Sequence, residues 1–170
     1  GVPSSQQGRI AMSVTEYLQQ SELFSGLTPE QVEQITALGR EFAYNAEDVI
    51  IREGDPSDEI YIICSGMVEV DVSRGAIPDV PGPPQMTSLV RLGQGQVFGE
   101  MALVDRGVRS ATVRCVRDGS MLYVIPCQSF WALCDSDHDI GYVVMRNIAA
   151  DLSFKLRHRN LQVRLTGGEA

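Results

Sequence analysis

Hydrophobic and polar positions follow one period at the two ends of this chain and another in the middle. From Ser13 to Leu27, the apolar residues Tyr17, Leu18, Leu23, Phe24 and Leu27 have the spacing of short helical segments. Thr28-Pro29-Glu30-Gln31 then carries three agreeing helix-start cues: a capping hydroxyl, proline at the first helical position and glutamine in the capping-box place. Val32, Ile35 and Leu38 continue at helical spacing, and Gly39 predicts the stop. From Arg40 to Pro126 the pattern shortens to β segments, expected at 42–44, 49–52, 59–64, 67–73, 88–91, 111–116 and 120–125. Glu53-Gly54-Asp55-Pro56 reads as a tight turn, and Ser65-Gly66 as the turn of a hairpin joining Tyr61–Cys64 to Met67–Val70. Four prolines between Arg74 and Thr87 exclude a central strand and predict an extended, solvated loop, either an insertion without a role or a docking loop.

After Pro126 the helical period returns. Gln128 to Cys134 holds Phe130, Trp131 and Leu133, read as core rather than as an aromatic cofactor box. A long helix is expected from about Asp137 to Leu165, with Val144, Ile148, Leu152, Leu156 and Val163 near heptad spacing. The expected organisation is a flexible N-terminus over 1–12, a domain over 13–165 and a tail over 166–170. Within the domain, helices occupy 13–39, strands 40–126 and helices 127–165.

Composition narrows the function classes. A chain of 170 residues suffices for one domain with a core of its own. With 14 basic and 22 acidic groups its formal charge is −8, which offers no electrostatic footprint for nucleic acid and repels anionic lipid. Neither DNA nor membrane binding is expected, and only 155–164 is locally basic. Cys64, Cys115, Cys127 and Cys134 lack metal-type spacing and sit among apolar residues, as reduced thiols of a cytoplasmic protein do. No apolar run approaches the roughly 20 residues of a membrane span. The two histidines, His138 and His158, lie beyond the expected strands, so no metal centre is expected. No nucleophile–base–orienter set is apparent, and the chain is not expected to be an enzyme.

The stretch Phe98 to Val113, FGEMALVDRGVRSATV, concentrates the remaining chemistry. Two opposite charges, Glu100 and Arg109, sit among apolar or small residues, where an unpartnered charge is costly. Arg109 offers a planar donor fork suited to phosphate oxygens, and an ionised Glu100 accepts from hydroxyls. Gly99 lets backbone approach a ligand, and a helical turn over Glu100–Leu103 would aim N–H groups at an anion. Together these describe a site for a small nucleotide with one phosphate. The competing use is an ion pair between Arg109 and Glu100 or another carboxylate.

Phe98-Gly99-Glu100-Met101-Ala102-Leu103, the turn Val104–Val108 and Arg109-Ser110-Ala111-Thr112-Val113 resemble the phosphate-binding cassette of the cyclic nucleotide-binding domain family. That family includes kinase regulatory subunits, nucleotide-gated channels and the bacterial catabolite activator protein. Glu53-Gly54-Asp55 followed by Tyr61-Ile62-Ile63, Gly66, Val68 and Val70 is similar to its second signature, which supplies the wall of the roll rather than phosphate contacts. The resemblance runs from about Leu23 to Leu156. It implies an α+β fold: a β-roll, a jelly-roll-like antiparallel barrel, flanked by N-terminal helices and a long C-terminal helix.

The resemblance also implies roles. Arg109 would be counter-charge to a cyclic phosphate, Glu100 the acceptor for the ribose 2′-hydroxyl, and Gly99 and the Ala102 N–H backbone contacts. Phe98, Met101, Leu103, Ser110 and Ala111 complete the cassette set, with Val90 as an apolar lining. Arg-Ser-Ala is similar to the catabolite activator protein, so cyclic AMP is the expected ligand; the Ser110 hydroxyl keeps cyclic GMP as the alternative. In that protein the long helix pairs with its twin and reaches the base, which carries over to Arg159 and Asn160 and implies a homodimer through this helix. The expected function is a regulatory sensor whose terminal helix closes over nucleotide and changes what it presents to a downstream protein, unidentified by the sequence. A ligand-free interaction domain of the same fold is the other reading.

Overall fold

The computed structural model describes residues 13–56, 58–73, 87–105 and 107–167, with side chains described over 13–56, 58–71, 89–105 and 107–158. The expected N-terminus over 1–12, most of the proline-rich loop (74–86) and the turn residue Arg106 lie outside the described residues. The N-terminal helical region comprises α1 (Val14–Gln20), a 3₁₀ turn (Glu22–Phe24) and α2 (Pro29–Thr36). At Thr28 the predicted capping box is complete. Its Oγ1 accepts the Gln31 N–H at 3.2 Å, and Gln31 Oε1 accepts the Thr28 N–H at 2.9 Å. Val32 and Ile35 on α2 are buried.

Eight strands follow: β1 (Arg40–Tyr44), β2 (Val49–Ile51), β3 (Glu59–Ser65), β4 (Met67–Ser73), β5 (Thr87–Gly93), β6 (Val97–Phe98), β7 (Thr112–Cys115) and β8 (Ser120–Pro126). They form two antiparallel four-stranded sheets, ordered β1-β8-β3-β6 and β2-β7-β4-β5. A short helix, α3 (Ala102–Asp105), separates β6 from β7, and α4 (Cys127–Ser136) and α5 (His138–Gly167) complete the chain.

The hairpin expected at Ser65-Gly66 is not formed. β3 pairs with β8 and β6, whereas β4 pairs with β5 and β7, so the chain changes sheets at this turn. Gly66 has φ +96°, and a Cβ there would lie 2.0 Å from Ser120 Oγ. The glycine makes room for β8 to pass beneath a corner, not for a two-strand turn.

Burial explains the two kinds of strand pattern. In β3, Ile60, Ile62 and Cys64 pack against the helices, while Tyr61 and Ile63 pack against the second sheet. A strand covered on both faces reads as an unbroken apolar run. In β4 the inward Val68 and Val70 alternate with Glu69 and Asp71, because its sheet has one solvated face. The helix-side core joins Phe24, Ile35, Ile125, Phe130, Ile140 and Val144, and burying each such side chain contributes roughly 1.5–3 kcal/mol. On α5 the described part of the apolar stripe, as far as Leu156, is buried only at its start, and Val163 lies outside the described side chains. Val144 and Ile148 are buried, Leu152 is half-buried, and Leu156 is 59% exposed.

Candidate functional site

The cassette hangs between β6 and β7. Phe98 ends β6, pairs with Tyr61 across the sheet and stacks on its ring, with centroids 4.8 Å apart and planes 1° from parallel. The chain then turns at Gly99 and enters α3, whose Ala102 and Leu103 are buried against the helical core. Trp131 on α4 donates its Nε1–H to the Leu103 carbonyl at 3.1 Å, tying the short helix to the body.

Arg109 is the buried cation of this region, 8% exposed. Its Nη2 donates to the Glu59 carbonyl at 2.7 Å and its Nη1 to the Gly99 carbonyl at 3.3 Å. The guanidinium carbon lies 5.9 Å from the centre of the Tyr61 ring. Among the described residues no ion pair joins Arg109 to Glu100 or to any other carboxylate. The clasped arrangement that competed with ligand binding is therefore not the one adopted. Of the five N–H donors of the guanidinium, these bonds engage two, and both acceptors are uncharged carbonyls.

The Glu53-Gly54-Asp55 turn has a second task. Gly54 N–H donates to the Arg109 carbonyl at 2.8 Å, and Arg109 N–H donates to the Asp55 carbonyl at 2.7 Å. Pro56 and Val108 form an adjoining bridge. The turn thus holds the backbone of the cation itself, beyond the walling role that the family resemblance implied for it.

Glu100 is half-buried, and burial pushes its carboxyl above the ordinary value. Its own backbone N–H, Lys155 and Arg109 act the other way, and Asp151 adds to the rise. Lys155 and Asp151 pair with each other on α5 at 2.8 Å, so the terminal helix lies within electrostatic reach of the cassette. Periodicity within the cassette carried no sign of this neighbour.

The other expected site residues divide into groups. Phe98, Ala102 and Leu103 point into the core and shape the cassette from behind. Met101 and Ser110 are exposed and Ala111 is half-buried. The Ala102 N–H, expected to face an anion, donates to the Gly99 carbonyl at 3.2 Å. Val113, Val70 and Val90 share one face across β7, β4 and β5, and their exposure rises in that order to 45% at Val90. This row leaves apolar surface open on the inner face of the roll. Asn160 lies on α5, but its side chain, like that of Arg159, is outside the described set. Glu59 and Tyr61 were not among the expected site residues; they come from β3, and only strand pairing brings them to Arg109.

Other constellations are sparse. Among the described residues no group of His, Cys, Asp or Glu is arranged to hold a metal ion, and no helix is long and apolar enough to cross a membrane. The four cysteines are free, three of them buried and Cys134 half-buried.

Comparison with known proteins places these features in context. The model of the cyclic nucleotide-binding domain matches residues 41–137, a span containing both the Glu53-Gly54-Asp55 turn and the whole cassette. The chain is 32% identical over 149 residues to the cyclic AMP receptor protein of Thermus thermophilus, covering 88% of this chain and 63% of that protein. The structure is similar to that of the Thermus thermophilus catabolite activator protein, with TM-score 0.69, 31% identity, and coverage of 86% of this chain and 63% of that one. It is also similar to the regulatory domain of Toxoplasma gondii PKA crystallised with cAMP, with TM-score 0.57, 28% identity, and coverage of 69% and 42%. The chain therefore spans less than two thirds of the length of the bacterial receptor it matches.

Proposed function

The chain belongs to the cyclic nucleotide-binding domain family, and on that premise we propose that it is a regulatory module that binds cyclic AMP. The observation that carries this reading is the buried Arg109 guanidinium, held by two carbonyls and, among the described residues, by no carboxylate. A cyclic phosphodiester has one negative charge and two outward oxygens, which match the free edge of such a fork. Glu100, close in sequence and half-buried, then accepts from the ribose 2′-hydroxyl. The apolar row ending at Val90 offers the purine a surface on the inner side of the roll. Cyclic AMP is preferred over cyclic GMP because the bacterial receptor it resembles is a cyclic AMP receptor protein and the Toxoplasma domain was crystallised with cAMP. The exposed Ser110 beside Arg109 is the feature that favours cyclic GMP as the competing ligand.

The module signals by population shift. Nucleotide draws the cassette around Arg109, and α5, whose Lys155 and Asp151 act on Glu100, settles over the ligand. The helix responds only as far as nucleotide prefers that arrangement. Tyr142, Phe154 and Leu156 are 59–66% exposed on α5, which supports pairing with a twin subunit along this helix. Free thiols support a reducing, cytoplasmic setting.

Calorimetric titration with cyclic AMP and cyclic GMP tests the reading. Saturable heat with the adenine nucleotide binding more tightly is expected. Absence of heat and of any thermal shift at millimolar concentrations of both nucleotides would leave a ligand-free scaffold.

A further inference from the structure

We infer that Tyr61 is a positioning residue for Arg109, and that its ring together with the carbonyls of Glu59 and Gly99 fixes the guanidinium in the plane from which it meets an anion. The inference rests on the proposed nucleotide-binding reading and adds a residue that the cassette pattern does not contain.

The contacts form a closed circuit. Glu59 gives its carbonyl to Arg109 Nη2 at 2.7 Å, and its carboxylate accepts the Tyr61 hydroxyl at 2.8 Å. The Tyr61 ring stacks on Phe98 at 4.8 Å, and the residue after Phe98 gives its carbonyl to Arg109 Nη1. Arg109 closes the loop by lying 5.9 Å from the Tyr61 ring centre, within the range of a cation–π contact. Tyr61 is 6% exposed, and a ring pinned at both ends cannot turn away from the cation it faces.

The need for such a circuit follows from chemistry. A guanidinium on three methylenes loses substantial rotamer entropy when it binds an anion, and holding it beforehand removes that penalty from the binding step. A carboxylate would hold it equally well but would neutralise the charge the ligand needs. Carbonyl dipoles and a π face orient the cation and leave its charge in place. On the Gly99 side the packing is tight, since a Cβ on Gly99 would lie 2.8 Å from Nη1 and 3.0 Å from the Glu59 carbonyl.

A double-mutant cycle on the full chain, read as cyclic AMP affinity by calorimetry, tests the assignment. Tyr61→Leu is expected to weaken binding about tenfold, as loss of a desolvated cation–π contact would, and Tyr61→Phe to recover affinity to within about threefold of wild type. In an Arg109→Lys background, where no planar fork remains to be oriented, Tyr61→Leu is expected to cost less than about threefold. If Tyr61→Leu does not fold, Tyr61→Met, which fills similar space without a π face, is read in its place. A full tenfold loss in both backgrounds, or a fall in melting temperature with unchanged affinity, makes Tyr61 an ordinary core residue and overturns the inference. Tyr61→Phe as weak as Tyr61→Leu does the same, by shifting the effect to the hydroxyl. If wild type itself binds neither cyclic nucleotide, the functional reading falls and takes this inference with it.

Discussion

Arg109 donates from Nη2 to the carbonyl of Glu59, 50 residues earlier in the chain, at 2.7 Å. This bond joins the cassette to β3, an interior strand of the helix-covered sheet. Around it the guanidinium has oriented partners but, among the described residues, no counter-ion, and most of the expected behaviour of the site follows from that imbalance.

Replacing Arg109 removes the proposed partner of the phosphate. Arg109→Leu is expected to weaken cyclic AMP binding by roughly 2–5 kcal/mol, the range for losing one member of a buried charged pair. Arg109→Lys retains charge but not the fork and should fall between the two. Calorimetric dissociation constants for the three proteins give this order directly, and equal affinities would remove Arg109 from the site.

Gly99 has φ +80°, and its missing Cβ leaves the room in which Arg109 Nη1 donates to the carbonyl of Gly99 itself. Gly99→Ala combines an unfavourable backbone with displacement of the cation. A stability loss of roughly 1–3 kcal/mol in urea denaturation is expected, together with weaker nucleotide binding. A variant matching wild type in both measurements would show that the cassette relaxes without cost.

The raised Glu100 titration gives a pH signature. A carboxyl whose folded pKa lies above its unfolded value penalises the fold once ionised. The penalty is absent below the unfolded value, grows as pH rises between the two values and is complete above the folded one. Glu100→Gln should therefore be more stable than wild type at neutral pH, with the gain vanishing in acid. Binding runs the other way, because the 2′-hydroxyl donates to the ionised form. Cyclic AMP affinity should fall as pH drops through the raised Glu100 titration, earlier than an ordinary carboxyl near 4.5 would cause. Parallel titrations of wild type and Glu100→Gln check both; a pH slope shared by the two proteins would assign it elsewhere.

Hydrogen exchange over residues 138–158 tests the helix response. Nucleotide should slow exchange most around Asp151–Lys155, the part of α5 that acts on Glu100, and least around Ile140 and Val144, which are already buried. Uniform protection along α5, or none, would separate binding from the proposed helix closure.

Trp131 ties α3 to α4 through the Leu103 carbonyl at 3.1 Å. Trp131→Phe leaves that carbonyl without its indole donor and should cost about 0.5–1.5 kcal/mol of stability, with faster exchange at Val104 and Asp105. Thermal denaturation and local exchange rates provide the check.

Local signals explain what was legible in the chain. The Thr28–Gln31 capping box and the strands expected over 59–64 and 67–73 each depend on neighbours a few residues apart, and each appears in the structure, although the two strands do not pair with one another. The cassette was legible for the same reason, since its two charges are only nine positions apart among apolar residues. β6 was missed because two residues are too few to show a period.

Contacts between distant residues were decided by the fold. A glycine turn serves a hairpin or a corner equally well, and at Gly66 the choice fell to Ser120, which belongs to a strand 54 positions later. The partners of Arg109 come from β3 and from the Glu53-Gly54-Asp55 turn, and Lys155 comes to Glu100 from the middle of α5. By itself, then, the sequence determined which elements form, β6 excepted, and which two charges make the candidate site. Tertiary structure decided that those charges stay apart and what orients the cation, because strand pairing and helix docking bring together groups whose spacing along the chain has no period to read.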